Sequence, residues 1–400
     1  MVTFDYAARR ARLSEKLDSA GIDVLFLPAS QTDLEYFTGV KRPAPTFGEI
    51  GYTNHWISGA FFAPGKDPLF ILTRHAQEFH LPDGVVGDIV TVNESQDGRE
   101  WFRKALDSYV SADRLAVGGK PLDETCGHEK DGLARIAVSG RTWSETTLEL
   151  RSHKPDAELI VADGLLNEIR RIKDPQEIEL MTHAARVADT VIADVEKMVK
   201  PGITELELAA EIDYRMRKLG SPGASFDTAV WAMGPGLSRD ASVRLSTDVL
   251  TPGSGVSFDF GAITEGYCSD FGRTVHIGDP NAEYELVYDV VMAAQEAGRA
   301  AAMPGATGGD VHRATRAVIE EAGYGDWFRH RTGHNIGLDV HELPYLSEED
   351  NTPLEPGMMF TIEPSVFWPG RVGARVEDVF LLTETGTVKI NEHANTLVAN

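Results

Sequence analysis

The chain carries the same punctuation twice. Pro201-Gly-Ile-Thr204 is followed three residues later by Glu207, and Pro304-Gly-Ala-Thr307 by Asp310. Each stretch reads as a turn that enters a helix, its Thr and acidic residue capping the free amides of the first turn. Leu208, Ile212, Met216 and Leu219 mark the apolar face of the first helix. Gly220 ends that helix and Gly323 ends the second; both the prolines and these glycines lie 103 positions apart (304 − 201 and 323 − 220). A longer helix precedes each turn, one with Val187, Val191, Val195 and Met198 on its face, the other at about 282–300. Pro252-Gly253 then leads to Asp259 and Pro356-Gly357 to Glu363, with Asp270 and Glu377 following in turn. Two like halves bury their faces by packing about a pseudo-twofold axis. That packing brings two carboxylates from each half to one centre.

The run from Val256 to Thr274 carries the first pair. Val256, Phe258 and Phe260 alternate with Ser257 and Asp259, as a half-buried strand does. Gly261 to Gly266 supplies a turn and Tyr267 to Thr274 a returning strand, so Asp259 and Asp270 stand on opposite arms of a hairpin. Adjacent carboxylates repel unless a cation lies between them or one holds a proton. Glu363 and Glu377 each lie within apolar runs, Phe360-Thr-Ile-Glu-Pro-Ser365 and Arg375-Val-Glu-Asp-Val-Phe-Leu-Leu382. His330-Arg-Thr-Gly-His-Asn-Ile-Gly-Leu-Asp-Val-His-Glu342 adds His330, His334 and His341. Taken singly, each of these residues reads as an ordinary strand or surface position. Taken together, buried carboxylates need pairing or a metal. Two Asp, two Glu and one His form an oxygen-rich set that favours Mn, Fe or Co over a thiolate-type zinc site.

These motifs resemble the pita-bread metallopeptidase family of methionine aminopeptidase, aminopeptidase P and prolidase, with creatinase as a metal-free relative. The likeness runs from about Ile169 to Leu382 and is nearest to the aminopeptidase P and prolidase branch. It implies an α/β (α+β) chain: a creatinase-like N-terminal α/β domain at 1–155, then a pita-bread catalytic domain at 165–400 with a pseudo-twofold repeat. It implies Asp259, Asp270, His334, Glu363 and Glu377 as ligands of two divalent metal ions, Mn first, with Co, Fe or Zn as alternatives. Asp270 and Glu377 then bridge, and Glu363 doubles as general base. The resemblance further makes His341 a stabiliser of the tetrahedral intermediate and His330 part of the leaving-group pocket. Arg375 becomes a partner of Glu377 or of a substrate carboxylate. The expected activity is Xaa-Pro dipeptidase or aminopeptidase cleavage of short peptides, in a homodimer.

One position departs from that pattern. The peptidase branch implies a further histidine near Ser242, yet no histidine lies between Phe226 and Asp259. Arg239 or Arg244 stands there instead, as a possible carboxylate binder. The alternatives are a small-molecule C–N hydrolase or lyase of the ectoine-hydrolase or dimethylsulfoniopropionate-lyase kind, and a non-catalytic binding module. The intact ligand set argues against the last.

Composition bounds the partners. A net charge of −24 over 400 residues repels nucleic-acid phosphates. The charged first thirty residues and the absence of a long apolar run read as a cytoplasmic protein without signal peptide or membrane span. Cys126 and Cys268 are the only cysteines, so no disulfide framework is implied. In the N-terminal part, a helix is expected over 5–20, strands at Val24–Leu27, 58–63, 69–73 and 114–118, and a helix near 98–110. The Pro- and aromatic-rich stretch 40–56 reads as a long loop, with His55 and Trp56 as candidates to reach a neighbouring subunit's site. Lys154-Pro155-Asp156 marks the end of this part.

Overall fold

The computed structural model describes residues 3–42, 53–109 and 134–397. The expected strand at 114–118, most of the loop at 40–56, and Cys126 lie outside the described residues. The chain divides into two compact units, Thr3–Ile169 and Arg170–Asn400.

In the first unit, Val24–Pro28 (β1) is buried at every position, which suits a strand covered on both faces. It sits inside a six-stranded sheet. On one side follow Gly59–Phe62 (β2), Leu69–Thr73 (β3) and Asp88–Val92 (β4), and on the other Arg135–Val138 (β5) and Glu158–Val161 (β6). The helices of this unit are Tyr6–Ser19 (α1), Thr32–Thr38 (α2), Arg74–His80 (α3), Gly98–Tyr109 (α4), Ser144–His153 (α5) and Asp163–Arg170 (α6). Strand β6 lies beyond the Lys154-Pro155-Asp156 break and pairs parallel with β5, so the sheet continues past position 155. His55 and Trp56 are both engaged within this unit. His55 stands edge-on to Trp143 at 4.8 Å, and Trp56 packs on Phe102 at 5.5 Å.

The second unit displays the repeat. Pro175–Val195 (α7) opens with a capping box in which Asp174 and Glu177 exchange hydrogen bonds. Glu205–Lys218 (α8) and Gly308–Glu321 (α10) have equal lengths, and both begin with capping boxes. The capping residues Thr204 and Thr307 share a φ of −98°. Ala282–Ala301 (α9) is the counterpart of α7. In the first half, Phe271–His276 (β11), Gly255–Phe260 (β8) and Ala229–Met233 (β7) form an antiparallel sheet in that order. Between β8 and β11 lies a two-residue ribbon, Ile263–Thr264 (β9) against Tyr267–Cys268 (β10). In the second half the sheet runs Glu342–Leu346 (β13), Gly333–Asn335 (β12), Met359–Ile362 (β14), Asp378–Thr383 (β17), Gly386–Lys389 (β18). Ser365–Trp368 (β15) and Val372–Arg375 (β16) form a separate ribbon.

Each half has its own core. Ile192, Leu208, Ile212, Phe258 and Phe260 are fully buried in the first, and Tyr284, Val287, Val291 and Ile319 in the second. Removing one such Phe side chain from water is worth about 2–3 kcal/mol. The halves meet at an isolated bridge, where Gly272 and Glu377 exchange backbone hydrogen bonds of 3.3 and 2.9 Å. The buried Arg273 guanidinium fastens that joint. It donates to the carbonyls of Gly272 and Glu377, both at 2.7 Å, and to Asp378 Oδ1 at 2.5 Å.

One local expectation changes. The register sets Asp259 opposite Gly272, not opposite Asp270, which precedes β11. The cause is the β9–β10 ribbon, turned by Glu265 (φ 48°) and Gly266 (φ 94°), which takes up residues the simple hairpin assigned to its arms. Trp231 lies within the buried strand β7, whose Ala-Val-Trp-Ala-Met run has no charged side chain to face water. Among the described residues, no helix is long and apolar enough to cross a membrane.

Candidate metal centre

A cavity of about 910 Å³ in the second unit is lined by Asp259, Asp270, His330, His334, His341, Glu363, Arg375 and Glu377, and by Arg244 but not Arg239. The strands explain the convergence. Asp259 is carried by β8, Asp270 by the link into β11, His334 by β12, Glu363 by the end of β14, and Glu377 by the residue before β17. Gly272 makes the close approach possible, because a Cβ there would sit 2.9 Å from Arg375 Cδ and from Glu377 Cβ and Oε2.

Asp270, His334 and Glu377 form the tight group: each offers an atom within 4.8 Å of the others. They are 3%, 1% and 1% exposed, so water cannot supply their missing partners. His334 Nδ1 faces the Asn335 carbonyl at 3.0 Å and so carries a proton. Nε2 then faces Asp270 Oδ2 at 3.3 Å and Glu363 Oε1 at 3.4 Å. Asp259 stands apart from this trio and is reached through Arg375. One guanidinium nitrogen of Arg375 pairs with Asp259 Oδ2 and lies 3.8 Å from Glu377 Oε2, while the other lies 3.6 Å from Glu363 Oε2. The stronger partner of Arg375 is thus Asp259 rather than Glu377.

The electrostatics follow from burial. Desolvation, reinforced by the neighbouring carboxylates, pushes Glu377 well above the ordinary carboxylate range. Asp270 is raised for the same first reason, against the pull of His334. Glu363 is pushed up to about 7 by burial, which Arg375 and His334 only partly offset. Burial works against the His334 cation, yet its bond to Asp270 and the Glu363 charge raise it overall. His330 falls to about 3, first through desolvation and then through the Arg375 charge. It is therefore neutral at pH 7: Nδ1 donates to the Arg331 carbonyl at 2.7 Å and Nε2 accepts from Ser365 Oγ at 2.6 Å.

Asp270 Oδ1 and Glu377 Oε2 are buried and have no hydrogen-bond partner in the protein. Such atoms cost about 1–3 kcal/mol each when left unmatched. Two orphaned carboxylate oxygens beside an imidazole lone pair, with two further carboxylates at hand, are the donor set of a hard divalent cation. The residues fit one.

His341 presents its ring perpendicular to His334, with centroids 4.3 Å apart, and is exposed toward the cavity. Sequence reasoning missed Phe226, Asp227, His312 and Tyr345 in the wall. His312 had a signal: it falls on the inward face of α10, one residue after Val311, where an apolar residue is the rule. Tyr345 and Asp227 had none: Tyr345 is aimed by the pairing of β13 with β12, and Asp227 by the loop before β7.

Fold and site define a hydrolase of the divalent-metal class. The chain belongs to metallopeptidase family M24, whose family model matches residues 179–384. It is 37% identical over 391 residues to a putative dipeptidase, YkvY, of Bacillus subtilis, covering 98% of this chain and 99% of that one. It is 34% identical to a Xaa-Pro dipeptidase of Pyrococcus furiosus over 58% of this chain and 66% of the relative. Among solved structures, a recombinant prolidase from Thermococcus sibiricus superposes with a TM-score of 0.85 at 26% identity over 99% of both chains. Dipeptidase PepE from Mycobacterium ulcerans gives 0.80 at 30% identity over 99% of this chain and 98% of that one.

Proposed function

We propose that this protein is a Xaa-Pro dipeptidase that cleaves short peptides with two divalent metal ions, Mn first among them. The observation that carries the reading is the meeting of four buried carboxylates and His334 in one cavity, with two buried oxygens unpartnered. The relatives named as Xaa-Pro dipeptidases and prolidases support the substrate class.

Asp259, Asp270, His334, Glu363 and Glu377 would hold the ions. Bound there, divalent metals supply a water of lowered pKa and polarise a carbonyl. The chain's own residues do the rest. Glu363 takes the proton of the attacking water and returns it to the leaving nitrogen. His341, facing the cavity, donates to the scissile carbonyl oxygen as charge builds on it. Neutral His330 acts as a fixed wall: its two hydrogen bonds hold its ring beside Glu363, with Nδ1 at 3.9 Å from Glu363 Oε2. Arg375 orients Asp259 and balances the carboxylate charge. A homodimer in the cytoplasm belongs to the same reading.

The test is a dipeptide series, Xaa-Pro against Xaa-Ala, with metal-stripped protein reloaded with Mn, Co or Zn. Metal-dependent release from Xaa-Pro is the expected result. Two bound metals per chain with no peptide turned over would sink it and direct attention to small amides. Native mass measurement of the intact protein reads the oligomer.

A further inference from the structure

Arg375 is saturated by its carboxylates and 9% exposed, but a second guanidinium at the same centre is not. The Arg244 side chain is 46% exposed and lines the cavity. Its contacts are long: Nη2 lies 3.4 Å from Asp259 Oδ2 and 3.4 Å from the Asp227 carbonyl. Its carbon Cζ stands 5.4 Å from the Trp231 ring and 5.6 Å from the Phe226 ring, an aromatic setting that steers the fork without neutralising it. Its neighbour Arg239 is taken. It pairs with Glu205 Oε1 and also reaches the Val243 carbonyl at 2.5 Å.

The segment that bears Arg244 is held on both sides. Glu205, fully buried at the start of α8, accepts from Arg239 Nη2, from Ala232 N at 2.7 Å, and from both Ser246 N and Ser246 Oγ at 3.0 Å. The Arg244 carbonyl itself accepts from Val230 N at 3.1 Å on β7. A buried carboxylate with four donors is an expensive way to hold a loop, and it fixes the backbone on both sides of one underused cation.

We propose that Arg244 binds the free carboxylate of the substrate, with Glu205 as the positioning residue that presents it. This deepens the peptidase reading and rests on it: the preferred substrates are short peptides whose terminal carboxylate lies within reach of the centre. Of the other cations in the wall, Arg316 is paired with Glu320 and Arg329 with Asp240, so Arg331, stacked on Tyr345 at 4.3 Å, is the main competitor.

The experiment compares Ala-Pro with its C-terminal amide on Mn-loaded wild type, Arg244→Gln, Arg244→Lys and Arg331→Gln, with bound Mn measured in each. Wild type prefers the acid by about 30-fold in kcat/KM, through KM, as a charge-assisted bond requires. Arg244→Gln brings the two peptides to within about threefold, Arg244→Lys falls between, and Arg331→Gln keeps the wild-type ratio. An acid preference untouched in Arg244→Gln, or lost in Arg331→Gln instead, overturns the proposal. So does loss of bound Mn from Arg244→Gln, which would mean that Arg244 acts through Asp259. If wild type cleaves neither peptide, the peptidase reading fails by itself, and calorimetric binding of L-proline decides for Arg244. Binding about tenfold weaker in Arg244→Gln upholds the assignment; equal binding, or none to wild type, overturns it.

Discussion

Arg375 is the cation among four buried carboxylates, so its loss has an unequal effect. Arg375→Gln leaves Asp259, Glu363 and Glu377 without their shared positive neighbour. Thermal unfolding in chelator should show a loss of about 3–5 kcal/mol, the cost of stripping one partner from a buried pair. Excess Mn should recover most of it, because the ions supply the same charge; a loss that Mn does not reduce would count against the metal assignment. Glu342, beside His341, gives a pH-dependent case. It is buried against Lys173 Nζ at 2.7 Å and against Arg170. Burial alone would raise it, but the Arg170 and Lys173 charges win and hold it below its ordinary 4.5. Its stabilisation is therefore whole above about pH 4.5 and is lost as pH falls through the lower folded value. Glu342→Gln should cost about 3 kcal/mol at pH 7, and the gap to wild type should close in acid melts below pH 4. A gap that stays constant with pH would refute the pairing. At this scale the sequence was most legible: the ligand candidates all reach one cavity. Arg375's preference for Asp259 was not legible, because it depends on where strand β16 lies beside β8, which no local pattern encodes.

The elements repeat, and so should their energetics. Thr204 and Thr307 cap α8 and α10 with the same backbone geometry and matching bonds of 3.1 Å to the third amide. Thr204→Ala and Thr307→Ala should each lower stability by about 1 kcal/mol, and the double variant by their sum, since the caps share no contact. Denaturant melts of the three proteins check this; marked non-additivity would mean the two helices are coupled. Caps, breakers and helix faces were readable from sequence because their physics is local. The β9–β10 ribbon was not. Two-residue strands carry no period, and the positive φ at Glu265 is paid by tertiary contacts rather than announced by residue type. The same holds for β4 and β6, edge strands of mixed polarity whose pairing, not composition, makes them strands.

For the whole molecule, the orphaned Asp270 and Glu377 oxygens make a bound divalent ion a source of folding stability. Free Mn at about 100 times its Kd should stabilise the native state by about 2.7 kcal/mol for a single site, and calcium or potassium by far less. Differential scanning at several metal concentrations measures it, and a midpoint indifferent to Mn would be decisive against the site. The larger consequence comes from the repeat. The two halves repeat a capped helix pair and two carboxylate-bearing segments, yet matching positions carry aspartate in the first and glutamate in the second, one methylene longer. His334 and His341 come only from the second half, Arg244 only from the first. The repeated elements alone give the centre little sense of direction, and the side chains give it one. A peptide has an amino end and a carboxyl end, and a near-symmetric cradle would accept it either way round. The residues that break the symmetry are thus the ones that let the molecule tell head from tail.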